Sequence, residues 1–274
     1  MPVDCEGAIR TVPRRHWRGE TAGQGTRAIA VETPVAIVIN GTTFAVLLAS
    51  PENLADFGVG FAFSEGIVAA PADIESIEIV HQPDGIEVQM WIADRLAQAA
   101  GARRRRLAGP TGCGLCGIES LAEANRPPIA CTAPGPSPTP GEILAAMAGL
   151  SALQPVGAAT RAVHAAGFWQ RGKPMLVRED VGRHNALDKL VGALLTAGID
   201  PATGAILLTS RCSYELVEKT ALAGCPMLIT VSAPTSLAQA RAEAAGLTLI
   251  ALARADSMLV MTDPHGLFAS GGSR

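Results

Sequence analysis

The apolar residues of this chain change rhythm along its length. Over residues 28–32, 34–39 and 44–48 they come in short β-rich runs, and Asn40-Gly41 separates the second run from the third. Asn-Gly in that position predicts a hairpin, because a type I′ turn needs positive φ at both central residues. Ser50-Pro51 reads as a helix cap followed by proline at the first helical position. The helix it predicts carries Leu54, Phe57, Val59, Phe61 and Phe63 and stops near Gly66, and two more strands are predicted at 74–80 and 86–92. Residues 26–100 are therefore expected to form a small α+β domain. Residues 1–25 have no hydrophobic period and are expected to be a flexible arm.

Regularity lapses between residues 101 and 140, where four arginines (103–106) are followed by six prolines from Pro127 to Pro140. Neither a single helix nor a central strand tolerates such a segment, so it is expected to be a linker. Order returns over 141–274, with a helix at 142–153 and strands at 162–169 and 174–177. A helix at 183–197 follows, with Ala186, Leu187, Leu190, Val191, Leu194 and Leu195 on one stripe and Gly198 as its C′ residue. Next come a strand at 205–208, a helix capped by Ser213, a strand at 227–231, a helix opened by Pro234, and strands at 247–252 and 258–261. Alternating strands and helices of this length predict an α/β fold with a largely parallel sheet covered on both faces.

Composition narrows the function. At 274 residues and 48% hydrophobic content the chain can bury real cores. A net charge of −3 excludes a generic nucleic-acid binder, which needs a basic domain. No apolar run approaches the roughly 18 to 20 residues that cross a bilayer, and residues 1–25 contain no h-region, so the chain is expected to be cytoplasmic with no membrane partner. Six cysteines, at 5, 113, 116, 131, 212 and 225, then suggest thiol chemistry or metal binding rather than a disulfide framework.

The pair Cys113 and Cys116 lies in Thr111-Gly-Cys-Gly-Leu-Cys-Gly117, with glycine on both sides of each thiol. This spacing can hold a metal, form a disulfide, or expose one reactive sulfur while the other assists. Glycines at 112, 114 and 117 let a bulky partner approach closely. A structural zinc site wants a second Cys or His pair, but Cys131 is solitary and twelve residues separate Cys212 from Cys225. A zinc deaminase needs His-x-Glu before its cysteine pair, whereas His164-Ala165-Ala166 follows the pair and lacks the glutamate. A thioredoxin-like motif belongs at the start of a helix in a βαβ unit, not in a proline-flanked connector.

Several strings occur together in order: Asn40-Gly41, Ser50-Pro51, Gly60-Phe61 with Glu65-Gly66, the 111–117 loop, and His164-Ala165. They continue with Glu179-Asp-Val-Gly-Arg-His-Asn-Ala-Leu-Asp-Lys189, Ser210-Arg211 with Glu215 and Lys219, and Ser232-Ala-Pro-Thr235. Over about residues 28–262 this set closely resembles the FdhD family of accessory sulfur carriers needed for active formate dehydrogenase. The resemblance implies a cytidine-deaminase-like three-layer C-terminal domain beside the smaller α+β domain, and a homodimer. It also implies a sulfurtransferase that takes sulfur from a cysteine desulfurase as a Cys113 persulfide. The sulfur passes to a molybdenum or tungsten bis-pterin guanine dinucleotide cofactor before insertion into the formate dehydrogenase apoenzyme.

Such chemistry asks for an exposed thiolate of lowered pKa. The arginines at 103–106 could supply positive potential, and the quartet is a solvated loop, a docking point for the desulfurase or a contact for the cofactor. Cys116 could be a second carrier, a resolving thiol or a spectator. Glu179 to Asn185 leaves a strand and enters a helix, a place that favours anions. Arg183 and His184 are therefore candidate contacts for the cofactor phosphates, the alternative being a cap by Asp180 and a buried network of Asp180, Arg183 and Asp188. His164 is either a site residue or a satisfied core histidine. Arg211 ends a strand on the side where open α/β sheets bind ligands, and Lys219 either joins it or pairs with Glu215. In the family, the segment matching Leu252-Ala253-Arg254-Ala255-Asp256-Ser257 contacts the pterin cofactor; here Leu252 replaces the usual aromatic residue and no glycine is present. A non-catalytic cofactor chaperone is the competing function.

Overall fold

The structure is a computed structural model and describes residues 7–106, 129–131 and 135–268. A two-stranded ribbon, β1 (Ile9–Arg18) and β2 (Thr21–Ala30), leads into a four-stranded sheet of β3 (Thr33–Ile39), β4 (Thr42–Ala49), β5 (Ile74–Gln82) and β6 (Gly85–Ile92). The sheet order is β4-β3-β6-β5. Asn40 and Gly41 both take positive φ, 45° and 75°, as the predicted hairpin requires. Helix α1 (Leu54–Ser64) buries Phe57 and Phe61 against Val35, Ile37, Val88 and Met90, and each such side chain contributes about 1.5–3 kcal/mol.

Three expectations for this half are corrected. Residues 9–30 form a ribbon rather than an arm without regular structure, folding back through a two-residue turn in which Gly19 has φ 59°. Helix α1 starts at Leu54, not after Ser50-Pro51, because Asn53 takes a left-handed φ of 55° and Ser50 is buried. Helix α2 (Asp94–Arg106) continues through the arginines at 103–106, so residues 101–106 are helical rather than part of a linker.

The remaining helices are α3 (Pro140–Ala152), the short α4 (Pro155–Thr160), α5 (Arg183–Thr196), α6 (Tyr214–Leu222) and α7 (Ser236–Ala244). They surround β7 (His164–Trp169), β8 (Leu176–Asp180), β9 (Ala205–Leu208), β10 (Met227–Thr230), β11 (Thr248–Ala251) and β12 (Leu259–Thr262), ordered β12-β11-β10-β9-β7-β8. Strand residues alternate between two cores, as the pleat demands. Ile206 and Leu208 join the cluster of α5, α6 and α7, whereas Ala205 and Leu207 join Ile143, Met147 and Leu150 of α3. The fold is thus mixed α/β.

Only β9, β10 and β11 are parallel to one another in this sheet; β7 runs antiparallel to β9 and β8, and β12 antiparallel to β11. The expected largely parallel sheet is corrected for a physical reason. A tight turn at 170–173 joins β7 to β8, too short for a crossover.

The two sheets meet through α1 and α5. Gly60 and Gly192 sit where these helices cross, and a Cβ on either would overlap the backbone carbonyl of Asp188 or Asp56. Two glycines therefore set the separation of the helices that join the halves.

Candidate functional site

Parallel strands β9, β10 and β11 point their carboxyl ends the same way. The loops leaving them, Ser210-Arg211, Ser232 and Leu252-Ala253-Arg254, interlock: Ala253 N donates to Thr230 O (3.0 Å) and Cys212 N to Ala233 O (3.3 Å). Because β7 is antiparallel to β9, His164 opens it at this same edge, opposite Asp180, the last residue of β8. Helix α5 starts three residues later. His164, Arg183, His184, Arg211 and the 252–257 segment are therefore brought to one end of the six-stranded sheet, the end at which open α/β sheets bind ligands.

Half of the Glu179 to Lys189 string is structural. Asp180 is completely buried and accepts from Ser50 N (2.9 Å), Gly182 N (2.7 Å) and Asn185 Nδ2 (3.0 Å), with Lys189 Nζ at 2.6 Å. Lys189 Nζ also donates to Ser50 O (2.9 Å) and Asn185 Nδ2 to Leu48 O (2.9 Å). Burial pulls the Lys189 ammonium below its usual range, and the Asp180 carboxylate opposes that shift. Glu179 accepts from Val156 N and Gly157 N and so caps α4. Asp188 accepts from Ser64 Oγ (2.7 Å) and pairs with Lys219 (2.5 Å). The expected network of Asp180, Arg183 and Asp188 is thus corrected: Lys189 and Lys219 are the cations, and Lys219 pairs neither with Glu215 nor with Arg211.

The other half is unspent. Arg183 Nε, His184 Nε2, Ser213 Oγ and Glu215 Oε2 are buried atoms with no hydrogen-bond partner. His184 Nε2 lies 3.8 Å from Glu215 Oε2, an ion-pair distance beyond hydrogen-bond reach. Burial pushes the Glu215 carboxyl up, but His184, Ser213 and its own backbone amide outweigh burial and hold it below the usual carboxylate value. His164 is half-buried, and burial, then Arg183, push its imidazole below the ordinary histidine value; Asp180 opposes this and His184 adds to it. Buried polar groups left unpaired are costly, which is why such a cluster marks a ligand-binding place.

Ser213 and Glu215 extend the predicted set. Ser213 occupies the N-cap position of α6 but makes no side-chain cap bond, a departure that its sequence context does not reveal. Residues 254–257 and Arg211 are exposed, whereas Ala253 is buried. Leu252 has φ 50°, a strained conformation for a bulky side chain that costs about 1 kcal/mol or more. Arg254 Nε donates to Val231 O (3.4 Å). A shallow groove of about 350 Å³ lined by Glu142, Leu153, Trp169, Arg171 and Met175 lies at the opposite end of β7.

Cys113 and Cys116 lie outside the described residues. The cysteines within them are all reduced and buried: Cys131, Cys212 and Cys225. Burial raises all three thiols, Cys212 and Cys225 to about 12, and so disfavours the thiolate at each. Among the described residues, no three His, Cys, Asp or Glu side chains lie together as metal ligands, and no helix is long and apolar enough to cross a membrane.

The model of the FdhD/NarQ family matches residues 30–268. The chain belongs to this family. A sulfur carrier protein FdhD from Agrobacterium fabrum is 46% identical over 261 residues, covering 95% of this chain and 96% of that protein. Another from Variovorax paradoxus is 45% identical over 264 residues, covering 95% and 94%. A crystal structure from Desulfotalea psychrophila, described as a formate dehydrogenase accessory protein, superposes with a TM-score of 0.70 at 26% identity, covering 92% of this chain and 96% of that one. The FdhD/NarQ match thus spans both sheets, with its first residue at the end of the β1–β2 ribbon.

Proposed function

We propose that this FdhD/NarQ-family chain is a cytoplasmic sulfur carrier that serves formate dehydrogenase. Cys113 attacks the outer sulfur of a cysteine desulfurase persulfide; the S–S bond breaks, the desulfurase leaves as a thiolate, and Cys113 keeps the sulfur as its own persulfide. The Cys116 thiolate then attacks the Cys113 sulfur; the persulfide S–S bond breaks, a Cys113–Cys116 disulfide forms, and the outer sulfur leaves at the sulfide level. It goes to a molybdenum or tungsten bis-pterin guanine dinucleotide cofactor, the cargo, before insertion into the apoenzyme, and a cellular dithiol later reduces the disulfide. Cys116, three residues on in the sequence, is the resolving or second carrier thiol, and the chain works as a homodimer whose C-terminal half is cytidine-deaminase-like.

One observation carries this reading: buried polar atoms of Arg183, His184, Ser213 and Glu215 that no hydrogen bond satisfies lie at the end of the sheet where β9, β10 and β11 finish, with His184 and Glu215 facing each other at 3.8 Å. Two cationic or donor side chains at the start of α5 suit a phosphate-bearing ligand, because helix amides and dipole add to their charge. Glu215 suits a donor edge of the same ligand, such as a base N–H. Burial of Cys131, Cys212 and Cys225 leaves Cys5, Cys113 and Cys116 as carrier candidates, and the glycine-flanked spacing of the last two favours Cys113.

The same cluster also favours the second reading, a chaperone that binds cofactor without carrying sulfur. Activation of apo-dehydrogenase separates the two. A sulfur carrier loses activation in Cys113→Ala while guanosine diphosphate binding persists; a chaperone keeps both.

A further inference from the structure

The β1–β2 ribbon has work that the sulfur site does not explain. Residues 7–30 hold five arginines and one glutamate, a net charge of +4 on a chain whose total is −3. In the antiparallel register, opposed residues share a face: Arg14, His16 and Arg18 lie with Gly25, Gly23 and Thr21, while Arg15 and Trp17 lie with Gln24 and Ala22. Arg14, Arg15, Trp17 and Arg18 are all exposed, Arg14 Nε donates back to Thr26 O (3.1 Å), and the His16 ring lies over Gly23. Trp17, one residue from the turn, is 71% exposed. Tryptophan among arginines is the composition of an interface anchor rather than of a solvated face.

The ribbon rises beside the site. Arg27 Nη2 donates to Thr160 O (3.1 Å), the last residue of α4. Glu179 holds the other end of α4, and the chain reaches His164 four residues beyond Thr160. An isolated two-stranded ribbon is marginal in water, so one this long gains order from whatever packs on it.

We propose that the β1–β2 ribbon is the arm that docks the protein sulfur donor, through an acidic surface on that donor. Trp17 is its apolar anchor, and Arg14, Arg15 and Arg18 make its charge contacts. This rests on the sulfur-carrier reading, in which loading is the sulfur step that needs a second protein; onward transfer goes to a cofactor this chain binds itself. A polyanion such as nucleic acid fits less well, because beyond the ribbon the chain is acidic.

The test compares the rate of Cys113 persulfidation by a cysteine desulfurase plus cysteine with the rate from glutathione persulfide. The variants are Arg14→Glu/Arg15→Glu/Arg18→Glu together, and Trp17→Ala alone. Loading by the desulfurase should fall about tenfold or more in the triple variant and severalfold in Trp17→Ala, with the wild-type rate itself falling as salt rises. Loading by glutathione persulfide should be unchanged. Equal desulfurase rates overturn the proposal. So does an effect confined to dehydrogenase activation, to single-stranded DNA binding, or to sedimentation as a dimer. If glutathione persulfide also fails to load the wild-type chain, the sulfur-carrier reading itself falls, and the docking arm with it.

Discussion

Two polar clusters flank the start of α5, and they are built on opposite terms. Around Asp180 each charge has its partners: Lys189, Ser50, Gly182 and Asn185 saturate the carboxylate, and the network ties β8 and α5 to the segment after β4. Around Arg183 and His184 the buried atoms make no hydrogen bond, and His184 has only the Glu215 carboxylate at 3.8 Å. A single eleven-residue string thus serves architecture with one set of side chains and leaves another set open. Saturation makes a rigid joint, whereas incompleteness costs stability and is tolerated where a ligand completes it.

The largest expected effect comes from breaking the saturated cluster. Lys189→Met leaves Asp180 charged, buried and unpaired and should cost about 3–5 kcal/mol, read as a lowered denaturation midpoint. A loss under about 1 kcal/mol would mean that the joint does not depend on this pair. Next comes the crossing that the joint supports: Gly60→Ala should cost about 1–3 kcal/mol by forcing α1 off α5.

The open cluster should respond in the reverse way. Arg183→Met should change stability by no more than about 0.5 kcal/mol while weakening guanosine diphosphate about tenfold by calorimetry, since charge-assisted hydrogen bonds contribute about 1.5–3 kcal/mol. Destabilisation with unchanged affinity would place Arg183 with the structural set. The smallest effect is one of pH. With its folded value below the ordinary 6.5, His164 favours folding fully above that pH, and the contribution fades as pH falls through the folded value. His164→Gln should flatten this acid-side slope in pH-dependent denaturation, and bound phosphate should raise the His164 midpoint measured by NMR. An unchanged slope would place His164 away from the cationic cluster.

Much of the fold was legible because periodicity and turn chemistry act locally. Strand β9 falls at 205–208 as its run of four apolar residues predicts, and the Asn40-Gly41 hairpin follows from φ alone. What escaped depended on distant partners. The ribbon has almost no apolar alternation to announce it, and the direction of β7 and β8 was hidden in a short turn. Ser50 looked like a helix cap because its true partner, Asp180, lies 130 residues away. The site shows the same division. Its residues could be collected from the strings they belong to, but which of them would be paired could not. Lys189 and Arg183 are both cations of one helix; Asp180 neutralises Lys189 and Ser50 of the first half completes its shell, whereas Arg183 Nε is left without a hydrogen bond.

Intact-protein and peptide mass spectrometry after incubation with a cysteine desulfurase and cysteine addresses the central claim most directly. A single added sulfur atom on the peptide carrying Cys113, released by a reductant and missing in Cys113→Ala, is the predicted result. Sulfur found instead on Cys131, Cys212 or Cys225, or on no cysteine at all, would contradict it.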